Sequence, residues 1–133
     1  MYFNKSNFFF HGIMLHHFHD DKMHTKGQGS ISKDDFYKLI KFIGRRNILD
    51  ADIFFEKFKK NELKKNEVCL TFDDGIKQHF DNVYPILMDY NLQASFFVPT
   101  MALDSKKIPT VEKQRLLQYN LFINYTEFLD SFC

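Results

Sequence analysis

Two neighbouring carboxylates, Asp73 and Asp74, are the side chains of this sequence best suited to chemistry. They stand in Leu70-Thr71-Phe72-Asp73-Asp74-Gly75, directly after the apolar run Val68-Cys69-Leu70. That order describes a buried strand that ends on acids and turns at a glycine. Successive side chains of a strand point to opposite faces, so it is a turn at Gly75 that lets both carboxylates reach the rim of one cleft. One acid can then accept a proton while the other binds a cation. Asp-Asp-Gly is also ordinary turn sequence, and the three residues alone do not separate a turn from a site.

Imidazoles lie upstream. His16, His17, His19 and His24 cluster with Asp20 and Asp21. His17 and His19 are two apart and would share one face of a strand, a spacing that can chelate a metal. Such a cluster is more often the lining of a loop or pocket. His79, the one histidine after the Asp pair, reads as a surface residue in the loop before a helix.

The elements that must position these groups follow from periodicity and punctuation. Residues 12–18 read as a strand running into the histidine-rich loop, and Lys26-Gly27-Gln28-Gly29 as a turn. Ser32, with Asp35 three residues on, resembles a capping box. Phe36, Leu39, Ile40 and Ile43 then share one helical face, up to Gly44. A second helix is expected from Ala51 to about Lys60, capped by Asp50, with Phe54, Phe55 and Phe58 on its apolar side. The strand 67–72 follows a polar connection. A proline inside a helix costs about 3 kcal/mol, so the next helix should start at Asp81 or Asn82, with Pro85 in its first turn. Val83, Leu87 and Met88 would face inward, and Asn91 would end the helix in a left-handed conformation. Residues 93–98 form the next strand. Strand, helix and strand with short links make a βαβ unit, which implies a parallel sheet. The tail from Val111 to Phe132 is helical in pattern with a break near residues 124–126.

Thr71-Phe72-Asp73-Asp74-Gly75, then Asn82-Val83-Tyr84-Pro85-Ile86-Leu87, then Ala94-Ser95-Phe96-Phe97-Val98 resemble, in that order, the opening motifs of the polysaccharide deacetylases, the NodB-homology carbohydrate esterases. The resemblance is firm over residues 67–100. Ile13-Met14-Leu15-His16 is similar to the Leu-Met-Tyr-His strand of exopolysaccharide-type members, with Leu15 in place of the tyrosine. The resemblance implies an α/β fold whose parallel sheet and flanking helices form the first part of a distorted (β/α) barrel. It implies Asp73 as general base, Asp74 as metal ligand and His16 in the substrate pocket. The cofactor would be a divalent metal, Zn2+ first, with Co2+ and Ni2+ as alternatives. The substrate would be an N-acetylated sugar or polysaccharide, hydrolysed at its carbon–nitrogen bond.

The family's later His-[Ser/Thr]-x-x-His motif, which supplies two metal-binding imidazoles, has no counterpart after Gly75. The arginine-proline, aspartate-tryptophan and leucine-histidine motifs are missing too. The expectation is therefore the N-terminal part of a truncated deacetylase, weakly active or inactive alone. A non-catalytic remnant and a metal-binding module built on the histidine cluster are the alternatives. An incomplete barrel would leave strand edges unpaired and open to self-association.

Composition narrows the rest. The chain of 133 residues, 44% hydrophobic and 26% charged, suits one domain, 1–133, with a modest core. A net charge of +1 gives no pull toward nucleic acid or anionic lipid. The lysines at 57, 59, 60, 64 and 65 alternate with Glu56, Glu62 and Glu67 and read as a solvated face. Thr71, Phe72 and the Phe pairs and triplets at 8–10, 54–55 and 96–97 read as packing, and Gly75 as a turn residue. Cys69 and Cys133 form no disulfide framework, and Cys69 reads as a small buried hydrophobe. Phe8-Phe9-Phe10 is too short for a signal sequence. No run approaches the ~18 apolar residues of a membrane span, so the expected location is the cytoplasm.

Overall fold

The computed structural model describes residues 11–20, 22–27, 29–100 and 110–131. Five strands are present among them: β1 (Gly12–Leu15), β2 (Phe18–His19), β3 (Ile31–Ser32), β4 (Cys69–Asp73) and β5 (Ser95–Phe97). The helices are α1 (Lys33–Ile43), α2 (Ala51–Lys59), α3 (Tyr84–Asp89), α4 (Thr110–Leu121) and α5 (Tyr125–Asp130). A 3-10 turn at Arg45–Asn47 follows α1, and a π-helical turn at His79–Val83 leads into α3.

The main sheet has the order β1-β4-β5 and is parallel throughout. Leu15 lies opposite Phe72, and Phe72 opposite Phe96. The expected strand 12–18 is divided: β1 stops at Leu15, and β2 pairs with β3 in a separate parallel ladder. A chain bending at His16 and His17 cannot serve both ladders as one strand. Strands 67–72 and 93–98 are likewise shorter than expected, and Val68 pairs only with Ile48.

Phe18, Phe36 and Phe72 form the centre of the core, with Leu70, Ile40, Ile48, Val83 and Ile86 around them, all buried. Phe36 meets Phe18 and Phe72 edge-on at centroid distances of 5.4 and 5.8 Å, the arrangement favoured by the ring quadrupole. The capping box of α1 is complete. Ser32 Oγ accepts from the Asp35 amide at 3.1 Å, and Asp35 Oδ2 accepts from the Ser32 amide at 3.3 Å. Arg45 then fastens the far end of the helical layer. Its guanidinium donates to the carbonyls of Tyr90, Ile48 and Asn91, which charge-assisted bonding makes stronger than neutral pairs.

Several local expectations fail for identifiable reasons. Asp50 occupies the N-cap position of α2, but its carboxylate makes no capping bond and accepts from the Gln93 amide at 2.9 Å instead. No residue of α2 is buried, and Phe55 and Phe58 are exposed. The Phe stripe packs on itself, with Phe54 stacked on Phe58 and Lys59 over the Phe55 ring. Helical backbone begins earlier than expected, at residues 77–78, so Asn82 is no cap, while Pro85 does stand in the first turn of α3. The chain accommodates the proline by widening: the Tyr84 amide reaches back to the His79 carbonyl. That π turn relieves the clash a proline ring makes with the carbonyl four residues earlier. The wider turn also rotates the helix face, so Ile86 is buried and Met88 is exposed. Phe96 and Phe97 are exposed as well, because β5 is an edge of the sheet. Phe8-Phe9-Phe10, Cys133 and the end of the tail lie outside the described residues.

The turn after β4 constrains the chain most tightly. Asp74 and Gly75 have φ of 78° and 57°. A Cβ on Gly75 would stand 2.8 Å from Val98 Cγ1. Gly75→Ala should therefore combine left-handed strain with overpacking and destabilise the fold by about 3 kcal/mol. A lowered urea midpoint at unchanged m-value is the expected reading; an unchanged midpoint would show that the turn relaxes freely.

Candidate functional site

The parallel pairing of β1 with β4 brings two chain segments out at the same sheet end. Leu15 is in register with Phe72, so His16 and His17 emerge beside Asp73 and Asp74. The C-terminal ends of parallel strands are where α/β folds place ligands. His16 Nε2 is 3.8 Å from Asp73 Oδ2, and both side chains are partly exposed. His16 and His17 lie with their rings nearly parallel, 6.3 Å apart.

The bend carrying these histidines is held from the π turn. His79 is buried, not on the surface as expected, and its Nε2 donates to the His16 carbonyl at 2.5 Å. Burial between Phe18 and Phe72 lowers its pKa. Next to it, Gln78 Oε1 accepts from the Phe18 amide at 2.9 Å. The bend at residues 16–18 is thus gripped by two neighbouring side chains.

His17, Asp74 and Glu112 bring three donor groups together, one ligand atom from each lying within 4.8 Å of the others. His17 Nε2 is 2.8 Å from both Glu112 oxygens. Arg115, one turn along α4, donates to His17 Nδ1 and lies 3.3 Å from Glu112 Oε1. A guanidinium has only donors, so Nδ1 must carry the lone pair and Nε2 the proton, donated to Glu112. His17 is buried, and burial together with the Arg115 charge lowers its pKa to about 4. Burial raises the Glu112 carboxyl. One imidazole and two carboxylates in reach of one another form a donor set for a divalent first-row cation, and the guanidinium already sits among them as a cation.

The remaining upstream histidines diverge. His19 Nδ1 meets Ser30 Oγ at 2.9 Å, and His24 Nε2 meets Asp81 Oδ2 at 2.8 Å. His17 and His19 make no common chelate, because β2 begins between them. Asp20 closes the loop by accepting from the amides of Lys22, Met23 and His24, which hold its carboxyl well below the usual range. Asp21 lies outside the described residues. A cavity of about 280 Å3 opens beside the site, walled by Met14, Leu15, His16, His17, Ile31 and Arg115 among others.

Glu112 and Arg115 escaped the sequence reading. Glu112 stands 95 residues from His17, and the one local signal was an i,i+3 Glu–Arg pair, which ordinarily stabilises a solvated helix face.

Residues 60–117 match the polysaccharide deacetylase family. That span holds Asp73, Asp74, Glu112 and Arg115. No curated protein matches the chain in sequence. Among solved structures, a de-N-acetylase from Aggregatibacter actinomycetemcomitans is similar with a TM-score of 0.60 and 22% identity, over 75% of this chain and 42% of that one. The Streptococcus pyogenes deacetylase PplD, solved in complex with acetate, is similar with a TM-score of 0.57 and 22% identity, over 82% of this chain and 51% of that one. The chain spans about half or less of the length of these structures. At such identity the likeness is one of fold: an α/β arrangement with a parallel sheet flanked by helices.

The buried His17 makes stability depend on pH with a definite sign. Below about 6.5 the unfolded chain protonates this ring, while the folded one resists down to about 4. Folding should therefore strengthen as pH rises from about 4 to 6.5, by at most about 3 kcal/mol from this group. His79 adds in the same direction, and Glu112 opposes it just above its ordinary carboxylate range. Urea titrations at pH 5 and 7 should show the wild type gaining more stability on going to pH 7 than His17→Gln does; equal gains would remove His17 as the source.

Proposed function

We propose that this chain carries the base and metal-bearing part of a hydrolase that removes N-acetyl groups from carbohydrate. The observation that supports the reading best is the convergence of Asp73 and Asp74 with the bend at His16 and His17, at the C-terminal end of a parallel sheet inside a span that matches the deacetylase family.

Asp73 is the general base. It ends β4 with its carboxylate partly open to solvent and facing His16, so it can take a proton from an attacking water. Asp74 is the anionic ligand of a divalent cation, with donors from His17 and Glu112 beside it. Such a cation, when bound, polarises an acetamide carbonyl and lowers the pKa of water from 15.7 toward about 7. Zn2+ is the first choice, with Co2+ and Ni2+ as alternatives. His16 walls the cavity in which the acetamide would lie, next to the base, where it can hand the proton on to the departing amine. Water adds to the carbonyl carbon, the carbon–nitrogen bond breaks, and acetate and a free amine leave.

Because the family's two later imidazoles have no counterpart here, turnover by the isolated chain should be slow. Amine release from an N-acetylglucosamine oligomer with added Zn2+, Co2+ or Ni2+ measures it. Asp73→Asn should lower the rate by about a hundredfold or more while leaving the fold intact. Amine release that is absent with every metal, or unchanged in Asp73→Asn, would leave the chain a non-catalytic remnant of the fold.

A further inference from the structure

We infer that this chain binds its divalent cation through His17, Asp74 and Glu112, a set with one nitrogen and two carboxylates, and that the cation enters by displacing the Arg115 guanidinium. The inference rests on the metal requirement of the reading above, but it concerns ligands that the family resemblance does not assign.

Three observations carry it. One donor atom from each of the three residues lies within 4.8 Å of the others. Ligands around a single ion at roughly 2.0–2.2 Å stand about 3–4 Å apart, so only a small closure is needed. Second, the lone pair of a buried imidazole is directed at a cation. His17 Nδ1 accepts from Arg115 while its Nε2–H is held by Glu112. Once the guanidinium leaves Nδ1, the ring proton can pass to Nδ1, and Nε2, already 2.8 Å from both Glu112 oxygens, is then free to ligate the same cation as Glu112. Third, Arg115 touches both His17 and Glu112 and also walls the adjacent cavity. Its long stem runs past Gly27 and gives the head room to swing out when a doubly charged ion takes its place.

The exchange balances charge. Asp74 and Glu112 are two carboxylates close enough to repel, and Arg115 offsets one of them. A divalent ion offsets both. With one imidazole instead of two, the set is harder than the family's, so Mn2+ should compete against Zn2+ more effectively than it does at a two-imidazole site.

Zn2+ titrations in competition with a chromophoric chelator test this on the full chain, with circular dichroism checking each variant's fold. Wild type should bind one Zn2+ per chain. His17→Ala, Asp74→Asn and Glu112→Gln should each weaken binding by about tenfold or more. Arg115→Gln, which removes the competing cation, should tighten it by about tenfold, whereas Arg115→Lys, which keeps the charge, should stay nearer wild type. Asp73→Asn should bind as wild type does. Unchanged binding in Glu112→Gln or His17→Ala would overturn the ligand set. Unchanged or weaker binding in Arg115→Gln would overturn the exchange, as would an absence of Zn2+ binding in every variant. Binding as expected without amine release would instead remove the deacetylase reading and leave this one standing.

Discussion

The register of β1 against β4 is the constraint on which the site depends. With Leu15 opposite Phe72, the residues that follow each strand leave the sheet at the same height and the same end. A slip of one residue would turn Phe72 out of the core, since side chains alternate between faces. Phe72 cannot turn out, because it contacts Phe18, Phe36 and Phe96 and is fully buried. The packing of one phenylalanine thus fixes where Asp73, Asp74, His16 and His17 meet. The left-handed turn at Asp74 and Gly75 completes the arrangement by redirecting the chain where the second carboxylate must face the bend.

Burial then sets the character of each group. His17 is enclosed and stays neutral, whereas His16, its immediate neighbour, remains partly open beside Asp73. The two histidines differ because only one is covered by α4. A neutral imidazole with an available lone pair is what a cation requires, while a partly solvated imidazole beside a carboxylate suits proton transfer. The π turn contributes to both. Through Gln78 and His79 it holds the backbone of the bend, so the proline that forces the turn to widen is indirectly a determinant of site geometry.

Much of this was legible in the sequence. The parallel βαβ order, the cap at Ser32, the left-handed Asn91 and the end of β4 on two acids follow from local periodicity and turn chemistry, which act over a few residues. The π turn was not, because the rule for proline admits more than one escape: starting the helix late or widening it. His79 read as exposed for the same reason, its burial being a consequence of the wider turn. The exposure of Phe55, Phe58, Phe96 and Phe97 was also hidden, since apolar residues mark a face without saying whether anything covers it. Glu112 and Arg115 were out of reach altogether. Their pairing with His17 is a tertiary contact between distant segments, and a Glu–Arg pair on a helix carries no mark of its partner.

The way α4 is attached has a consequence for how such a site behaves. None of its residues is buried, and Leu116, Leu117 and Leu121 are exposed. At about 25 cal/mol per Å2 of apolar area, little hydrophobic free energy holds this helix in place. Its described anchors are polar: Glu112 and Arg115 on His17. Anything that strengthens or replaces those contacts therefore changes the docking of the helix along with the occupancy of the site. A ligand that binds the docked arrangement and not the undocked one stabilises it in proportion to the logarithm of its concentration over its dissociation constant. On the inference above, a cation bound at Glu112 would take over the docking contact that Arg115 supplies to His17 and Glu112.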